Sequence, residues 1–322
     1  MGAAAQGAAR PAGQHLMTAR LPAATPAHAT PHALWPGLVL AALGAIAFSG
    51  KAIIVKLAYR HGVDAFTLIM YRMLFALPLF LLLAWWAGRG KPALTGRDWR
   101  AVCGLGFCGY YLASTLDFAG LAYITAGLER LILYLTPTLV LAISVLMLGK
   151  RVSRRQLMAL AVSYAGVLLV FGHELRLEGE ATLIGAALVF ASTISYAIYL
   201  VYSGEEVRRL GSLRLTGLAT SVACVLCIVQ FLLLRPLAAA QVADTVLWLS
   251  LLNATACTFA PVLMVMMAIE RIGATMASLT GMLGPMSTIL MGVWLLGEPF
   301  NAWIAAGTVA VLLGITLLAR SR

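Results

Sequence analysis

The chain has 322 residues, 61% of them hydrophobic and 11% charged, with a net charge of +11. A soluble domain carries about 25% charged residues, so this composition excludes an ordinary soluble enzyme. Apolar stretches of roughly 20 residues, the length that crosses a bilayer as a helix, recur from Trp35 to the end, whereas a β-barrel would show short segments of alternating polarity.

Residues 1–34 are rich in Ala and Pro and predict a disordered cytoplasmic tail. They lack the apolar core and cleavage site of a secretory signal, so the first spanning helix is expected to double as an uncleaved insertion signal; Met17 is an alternative start to Met1. Ten apolar runs follow, at about 36–58, 65–87, 100–121, 124–148, 155–172, 181–203, 211–234, 245–269, 272–296 and 301–319. The expected fold is an all-α integral membrane protein with ten transmembrane helices. Lys and Arg favour cytoplasmic loops. With the N-terminus inside, sixteen of them fall in inner segments and three (Arg60, Arg176 and Arg235) in outer loops. Both termini are therefore expected in the cytoplasm and the chain in the cell inner membrane. The basic balance reads as topology, not as nucleic-acid binding.

The runs repeat. "TPTLVLAISVLMLGKRV" (136–152) aligns without gaps on "GPMSTILMGVWLLGEPF" (284–300), and Pro137, Leu148, Gly149 and Gly166 fall on Pro285, Leu296, Gly297 and Gly314 at one offset of 148 residues. The chain thus divides into a first repeat at 35–172 and a second at 181–319. Five helices is an odd number, so the second repeat enters the membrane inverted. The charges agree: Lys150-Arg151 follows the first Leu-Gly and Glu298 the second, as expected of equivalent turns facing opposite sides.

Ionisable groups within the runs are few: Lys51 and Lys56 in the first, Arg72 in the second, Asp117 in the third, Glu129 and Arg130 in the fourth. On a translocon scale a central charge costs about 2.5–3.5 kcal/mol and each Leu, Ile or Val returns about 0.3–0.6. The eight Leu, two Ile and two Val of 126–148 return about 4–7 kcal/mol on that scale, roughly enough to insert the pair. Adjacent helical residues point about 100° apart, so Glu129 and Arg130 look toward different partners: Lys51 for Glu129, Asp117 for Arg130. Intramembrane charges face a bundle interior or a water cavity and mark a pathway. The expectation is an outward-facing cavity over a midplane site, and a static interhelical latch is the alternative.

Alternatives stand beside the other groups. Lys56, near a helix end, is expected to snorkel. Arg72 either serves the site or bonds carbonyls freed near Pro78; Asp117 either serves the site or caps a helix end. Tyr110, Ser114 and Asp117 share a helical face, as do Ser192, Tyr196 and Tyr199. With Tyr134 and Asn253 they are candidate substrate contacts, or ordinary helix–helix packing. Pro137 and Pro285 free the carbonyls of Leu133 and Gly281. Paired kinks at matching points of inverted halves mark a midplane transport site, which makes these prolines candidate hinges. The five Cys lie in apolar runs and read as packing residues, the Cys224/Cys227 pair included. No metal or cofactor is expected.

With these residues in place, "FSGKAIIVKLAYRHGVDAFTLIMYRMLFALPL" (48–79), followed by the two Pro-to-Leu-Gly segments, resembles the drug/metabolite transporter superfamily with two EamA-type repeats, over about residues 36–320. Arg72 matches an Arg often found in the second helix of such repeats, and Leu296-Gly297-Glu298 the usual end of the fourth repeat helix. Lys150 stands where the family commonly has an acid, and Lys51 with Glu129-Arg130 looks like a subgroup feature. The resemblance implies a ten-helix bundle around a central cavity, most such proteins being inner-membrane exporters of metabolites or toxic amphiphiles.

The expected function is secondary transport of a small organic solute, with the lipid bilayer as surroundings and a monomer or homodimer as the unit. The positive excess among Lys51, Arg72, Arg130, Asp117 and Glu129 favours an anionic or zwitterionic solute such as an amino-acid derivative; cationic or amphiphilic toxic compounds are the alternative. Glu129 is the candidate for proton coupling, since burial and neighbouring cations act on a carboxylate's protonation in opposite senses. An intramembrane enzyme would need a nucleophile–base set, yet all five His (15, 28, 32, 61 and 173) are expected in the tail or loops. A non-transporting sensor would need a signalling domain that the sequence does not append.

Overall fold

The computed structural model describes residues 31–148, 153–178, 180–265 and 283–320, together with 267, 268, 271 and 280. Expectations for residues 1–30, for Lys150 and Arg151, and for the carbonyl of Gly281 lie outside the described residues.

The described residues are helical and contain no strand. In chain order α1 is Pro31–Tyr59 and α2 Ala65–Gly88. The third pass, α3, runs without a break through Gly96–Gly106, a π-turn at Phe107–Leu112, and Ala113–Leu121. The fourth, α4, has two pieces, Ala126–Leu133 and Thr136–Leu148. Then come α5, Arg154–Glu178, α6, Glu180–Leu210, and α7, Ser212–Leu234. The eighth pass, α8, begins as Asp244–Ala254 and continues through a π-turn at Thr255–Phe259. The described part of α9 is Leu283–Met291 with a π-turn at Gly292–Leu296, and α10 is Ala302–Arg320. Six described helices are long and apolar enough to cross a membrane, and three shorter apolar stretches accompany them. The remaining pass is 96–121, which carries Arg97, Asp98 and Arg100 in its first turns.

Helix starts follow local chemistry. Asp64 caps α2 by accepting from the Phe66 and Thr67 amides at 3.0 and 3.3 Å, and Thr95 with Asp98 forms a reciprocal capping box on α3. Several expected boundaries shift. The described part of α1 starts at Pro31, so residues 31–34 of the expected tail are helical. Likewise, α6 carries on to Leu210, so Arg209 belongs to its last turn instead of a loop. His173 lies in α5, bonded to Asn301 at 3.0 Å and stacked on Trp303, not in a loop.

Packing between the halves follows the repeat. The two most extensive contacts join a helix to its own counterpart, α5 to α10 and α2 to α7, while α3 packs on α6 as α8 packs on α1. This is the pattern of a pseudo-twofold relation. Two of the three π-turns obey it too: Phe107 and Thr255, their first residues, are 255 − 107 = 148 apart, while the third, at Gly292–Leu296, corresponds to ordinary α-helix at 144–148. Lipid supplies no hydrophobic drive for helix association, so small residues that bring backbones together carry it. At the α5–α10 contact a Cβ on Gly166 would sit 2.7 Å from the Gly307 carbonyl oxygen, and one on Gly307 would sit 2.7 Å from that of Gly166.

Candidate functional site

Three helices of the first repeat bring their charges together. Lys51 stands eight residues before the end of α1, about 12 Å along the axis. Its ammonium lies 2.5 Å from Asp117 Oδ2 on α3 and 3.2 Å from Glu129 Oε1 on α4. Glu129 Oε2 is 3.8 Å from Arg130 Nε. Phe48 sits beside both cations, its ring centre 5.9 Å from the Lys51 nitrogen and 5.7 Å from the Arg130 guanidinium, within cation–π range. Glu129 is fully buried, and Lys51, the most exposed of the four, is 6% exposed.

Two expectations are corrected here. The Lys51–Glu129 pairing is present, but Asp117 pairs with Lys51 and not with Arg130. Lys51 reaches both carboxylates because it enters from a third helix, a geometry that spacing along α3 and α4 does not reveal. Moreover, the ions are sealed instead of lining an open cavity. An open cleft of about 340 Å³ lies at the end of the bundle remote from the termini, lined by Lys56, Tyr59, Arg60, Leu296 and Glu298. Tyr59 bounds it, and its hydroxyl donates to the carbonyl of Phe118, the neighbour of Asp117, at 2.5 Å. Lys56 lines this cleft, short of the buried ions.

Arg72 stands apart from this tetrad. Its Nε donates to the Thr258 hydroxyl at 3.0 Å, and that hydroxyl donates to the Asn253 carbonyl at 2.8 Å across the π-turn of α8. The guanidinium also faces the Phe118 ring at 5.1 Å. It therefore reaches the second repeat and does not bond carbonyls near Pro78. One of its nitrogens, Nη1, and both amide atoms of Asn253 are buried without a hydrogen-bond partner among the described residues.

The tyrosines form a different group. Tyr110 and Tyr199 meet edge to face with hydroxyls 3.4 Å apart, and Tyr196 stacks on Tyr199. Nearby, Ser195 donates to the Cys108 carbonyl at 2.8 Å and Ser192 to that of Ala113 at 2.6 Å. These contacts are the α3–α6 interface, with the π-turn of α3 offering Cys108 as acceptor. Ser114 is half-buried beside them in sequence. Tyr134 marks the break in α4, and a Cβ on Gly284 of α9 would sit 2.8 Å from its hydroxyl. Ser49 of α1 donates to the Gly284 carbonyl at 2.7 Å. The proline-bearing segments of the two repeats thus touch beside Pro137 and Pro285. The carbonyl of Leu133, freed by Pro137, accepts from the Thr136 hydroxyl at 2.5 Å.

Glu298 is the contact that sequence reasoning missed. Its carboxylate accepts from the Ala126 and Gly127 amides at 2.8 and 3.4 Å, so an acid from the α9–α10 turn caps the positive end of α4. Gly297, at φ +72°, supplies the left-handed turn that aims it. Arg60 adds a second tie, donating to the Leu296 carbonyl at 2.5 Å. Matching Leu-Gly pairs were the available signal, but they marked topology and did not reveal the cap. At the same end Asp64 pairs with Arg235 at 3.1 Å. Partial burial pushes its carboxyl up, yet the Thr67 hydroxyl and amide and the Arg235 charge outweigh this and hold it below the ordinary range.

A model of the EamA-like transporter family matches residues 35–172 and again residues 183–320. The uncharacterized transporter YcbK of Bacillus subtilis (strain 168) is 30% identical over 287 residues, which span 87% of this chain and 91% of that protein. An uncharacterized transporter of Archaeoglobus fulgidus is 30% identical over 152 residues, 47% of this chain and 51% of that one. A solved crystal structure, 16% identical, superposes on 88% of this chain and 98% of its own with a TM-score of 0.58, a likeness of fold. Two family matches placed 183 − 35 = 148 residues apart, on a helical bundle whose pairings obey the same relation, lead to one conclusion: the chain is a membrane protein of the EamA-like transporter family.

Proposed function

We propose that this transporter is a secondary carrier exporting a small organic anion or zwitterion, such as an amino-acid derivative, across the cytoplasmic membrane, with a proton as coupling ion. The observation that supports it is the buried set Lys51, Arg72, Asp117, Glu129 and Arg130, which places three cations against two carboxylates. An uncompensated buried charge costs several kcal/mol, and a bound anion removes that penalty. A lipophilic cation would add to it, which disfavours the amphiphile alternative. Glu129 is the coupling group in this reading: it is buried, it meets cations on two sides, and protonating it releases Lys51 to Asp117 alone. Orientation rests on the Lys and Arg asymmetry, with both termini in the cytoplasm. The carrier is occluded when the tetrad is closed, and Tyr59 separates it from the outer cleft.

The test is counterflow of a labelled metabolite panel in proteoliposomes, with and without a pH gradient. The wild type is expected to exchange an anionic or zwitterionic solute and accumulate it against the gradient. Glu129→Gln is expected to keep exchange and lose pH-driven accumulation; unchanged coupling removes Glu129 from that role.

A further inference from the structure

Resting on that reading, we infer that the substrate's charge is held by Arg72 together with Asn253, that it is a single negative charge, and that the Glu129-Arg130 doublet does not contact it. The argument begins with charge balance. Lys51, Asp117, Glu129 and Arg130 form two cations and two carboxylates linked by short distances, so with both carboxylates ionised the tetrad is neutral. Arg72 is the remainder. Among the described residues no carboxylate lies within ion-pairing distance of it, although it is 5% exposed. Among the described residues this buried guanidinium, with five donors, keeps one hydrogen bond, to Thr258, and has one nitrogen without a partner.

The second observation comes from the other repeat. Asn253 is 1% exposed, and among the described residues neither its amide oxygen nor its amide nitrogen has a partner. A buried carboxamide left unsatisfied costs about 1–3 kcal/mol. It stands one π-turn from Thr258 on α8, and π-turns concentrate at functional positions. Thr258 thus joins Arg72 of α2 to the backbone carbonyl of Asn253 on α8, one helix from each half. A carboxylate between them accepts from Arg72 Nη1 and from the Asn253 amide, satisfying both orphaned donors and neutralising the leftover charge. One negative charge completes the balance; a dianion would overshoot it, and a cation would double the imbalance. The tetrad is then the unit that holds α1, α3 and α4 together and takes up the proton.

The purified full-length protein is titrated with lactate, benzoate and N-acetylglycine as monoanions, succinate and glycerol phosphate as dianions, and choline as a cation, with Tm as the readout. At least one monoanion is expected to raise Tm, and the dianions and choline are not. Arg72→Gln and Asn253→Asp are each expected to weaken that binding at least tenfold, whereas Arg130→Lys leaves it within about threefold. Should Arg72→Gln fold poorly, Arg72→Lys and Asn253→Asp carry the test, the lysine retaining binding and the aspartate losing it. Equal binding by wild type and Asn253→Asp, preference for succinate or choline, or no response to any monoanion overturns the assignment. Counterflow separates the two levels: exchange of a cation removes this site and leaves carriage standing, while absence of all exchange removes carriage.

Discussion

The same scaffold position carries opposite chemistry in the two repeats. Moving by 148 residues takes Lys51 to Tyr199, Arg72 to Thr220 and Thr258 back to Tyr110. On one side Arg72 of the first repeat meets Thr258 of the second. On the other, Tyr110 of the first repeat meets Tyr199 of the second through phenols, with Thr216 and Thr220 beside them. The backbone relation survives, the first π-turn of each repeat included, while the buried tetrad of Lys51, Asp117, Glu129 and Arg130 has gone to one side. Fold and chemistry are thus encoded separately: small residues and apolar periodicity set the bundle, and a handful of substitutions make one end ionic and the other neutral.

The sharpest way to break this comparison is to remove one member from each side. Lys51→Met leaves two carboxylates facing each other in a dry site and is expected to destabilise the protein by about 3–5 kcal/mol, the range for breaking a buried ion pair. Tyr199→Phe removes a hydroxyl contact and is expected to lose about 1 kcal/mol. Denaturant unfolding in detergent measures both; equal losses would mean that the two clusters hold their ends alike. Replacing Pro137 and Pro285 together with Ala acts on the segments that meet beside Tyr134 and Gly284. Transport is expected to fall at least tenfold with unchanged membrane insertion, and full transport by the double variant counts against flexing at these points.

Glu298→Gln keeps an acceptor at the start of α4 but removes its charge, so the expected loss is about 0.3–1 kcal/mol. Faster hydrogen exchange at Ala126 and Gly127 is the direct readout, and unchanged exchange there would make the cap irrelevant. The smallest effect concerns Asp64. Its folded pKa lies below the unfolded one, so its contribution is present above the ordinary Asp value of about 3.9 and is lost as pH falls through the folded value. Tm is expected to drop in that acidic window, and Asp64→Asn to remove this part of the drop.

Much of the architecture was legible because bilayer thickness fixes run length and Lys/Arg placement fixes the expected sidedness. The offset of 148 was readable from four matching residues. Side-chain partners were not. Charge and position near one end pair Asp117 with Arg130, but whether α1 inserts Lys51 between α3 and α4 depends on how three helices cross. The π-turns left no mark in composition, since widening a turn by one residue depends on what packs against it, as Gly109 does against Tyr199. The Tyr and Ser stripes were visible as faces, but a face does not say whether its neighbour is a solute or another helix. Glu298 reads in sequence as a sign of sidedness, yet its role as a cap depends on contact across 172 positions of sequence.

The Gly166–Gly307 crossing has a mechanical meaning. Two halves that trade places must pivot about some part that stays still, and backbones already touching leave no slack for sliding. That crossing is suited to be the fulcrum of the molecule: spin labels flanking it should keep their separation through a transport cycle, while labels near Lys51 and near Tyr199 lengthen and shorten in alternation.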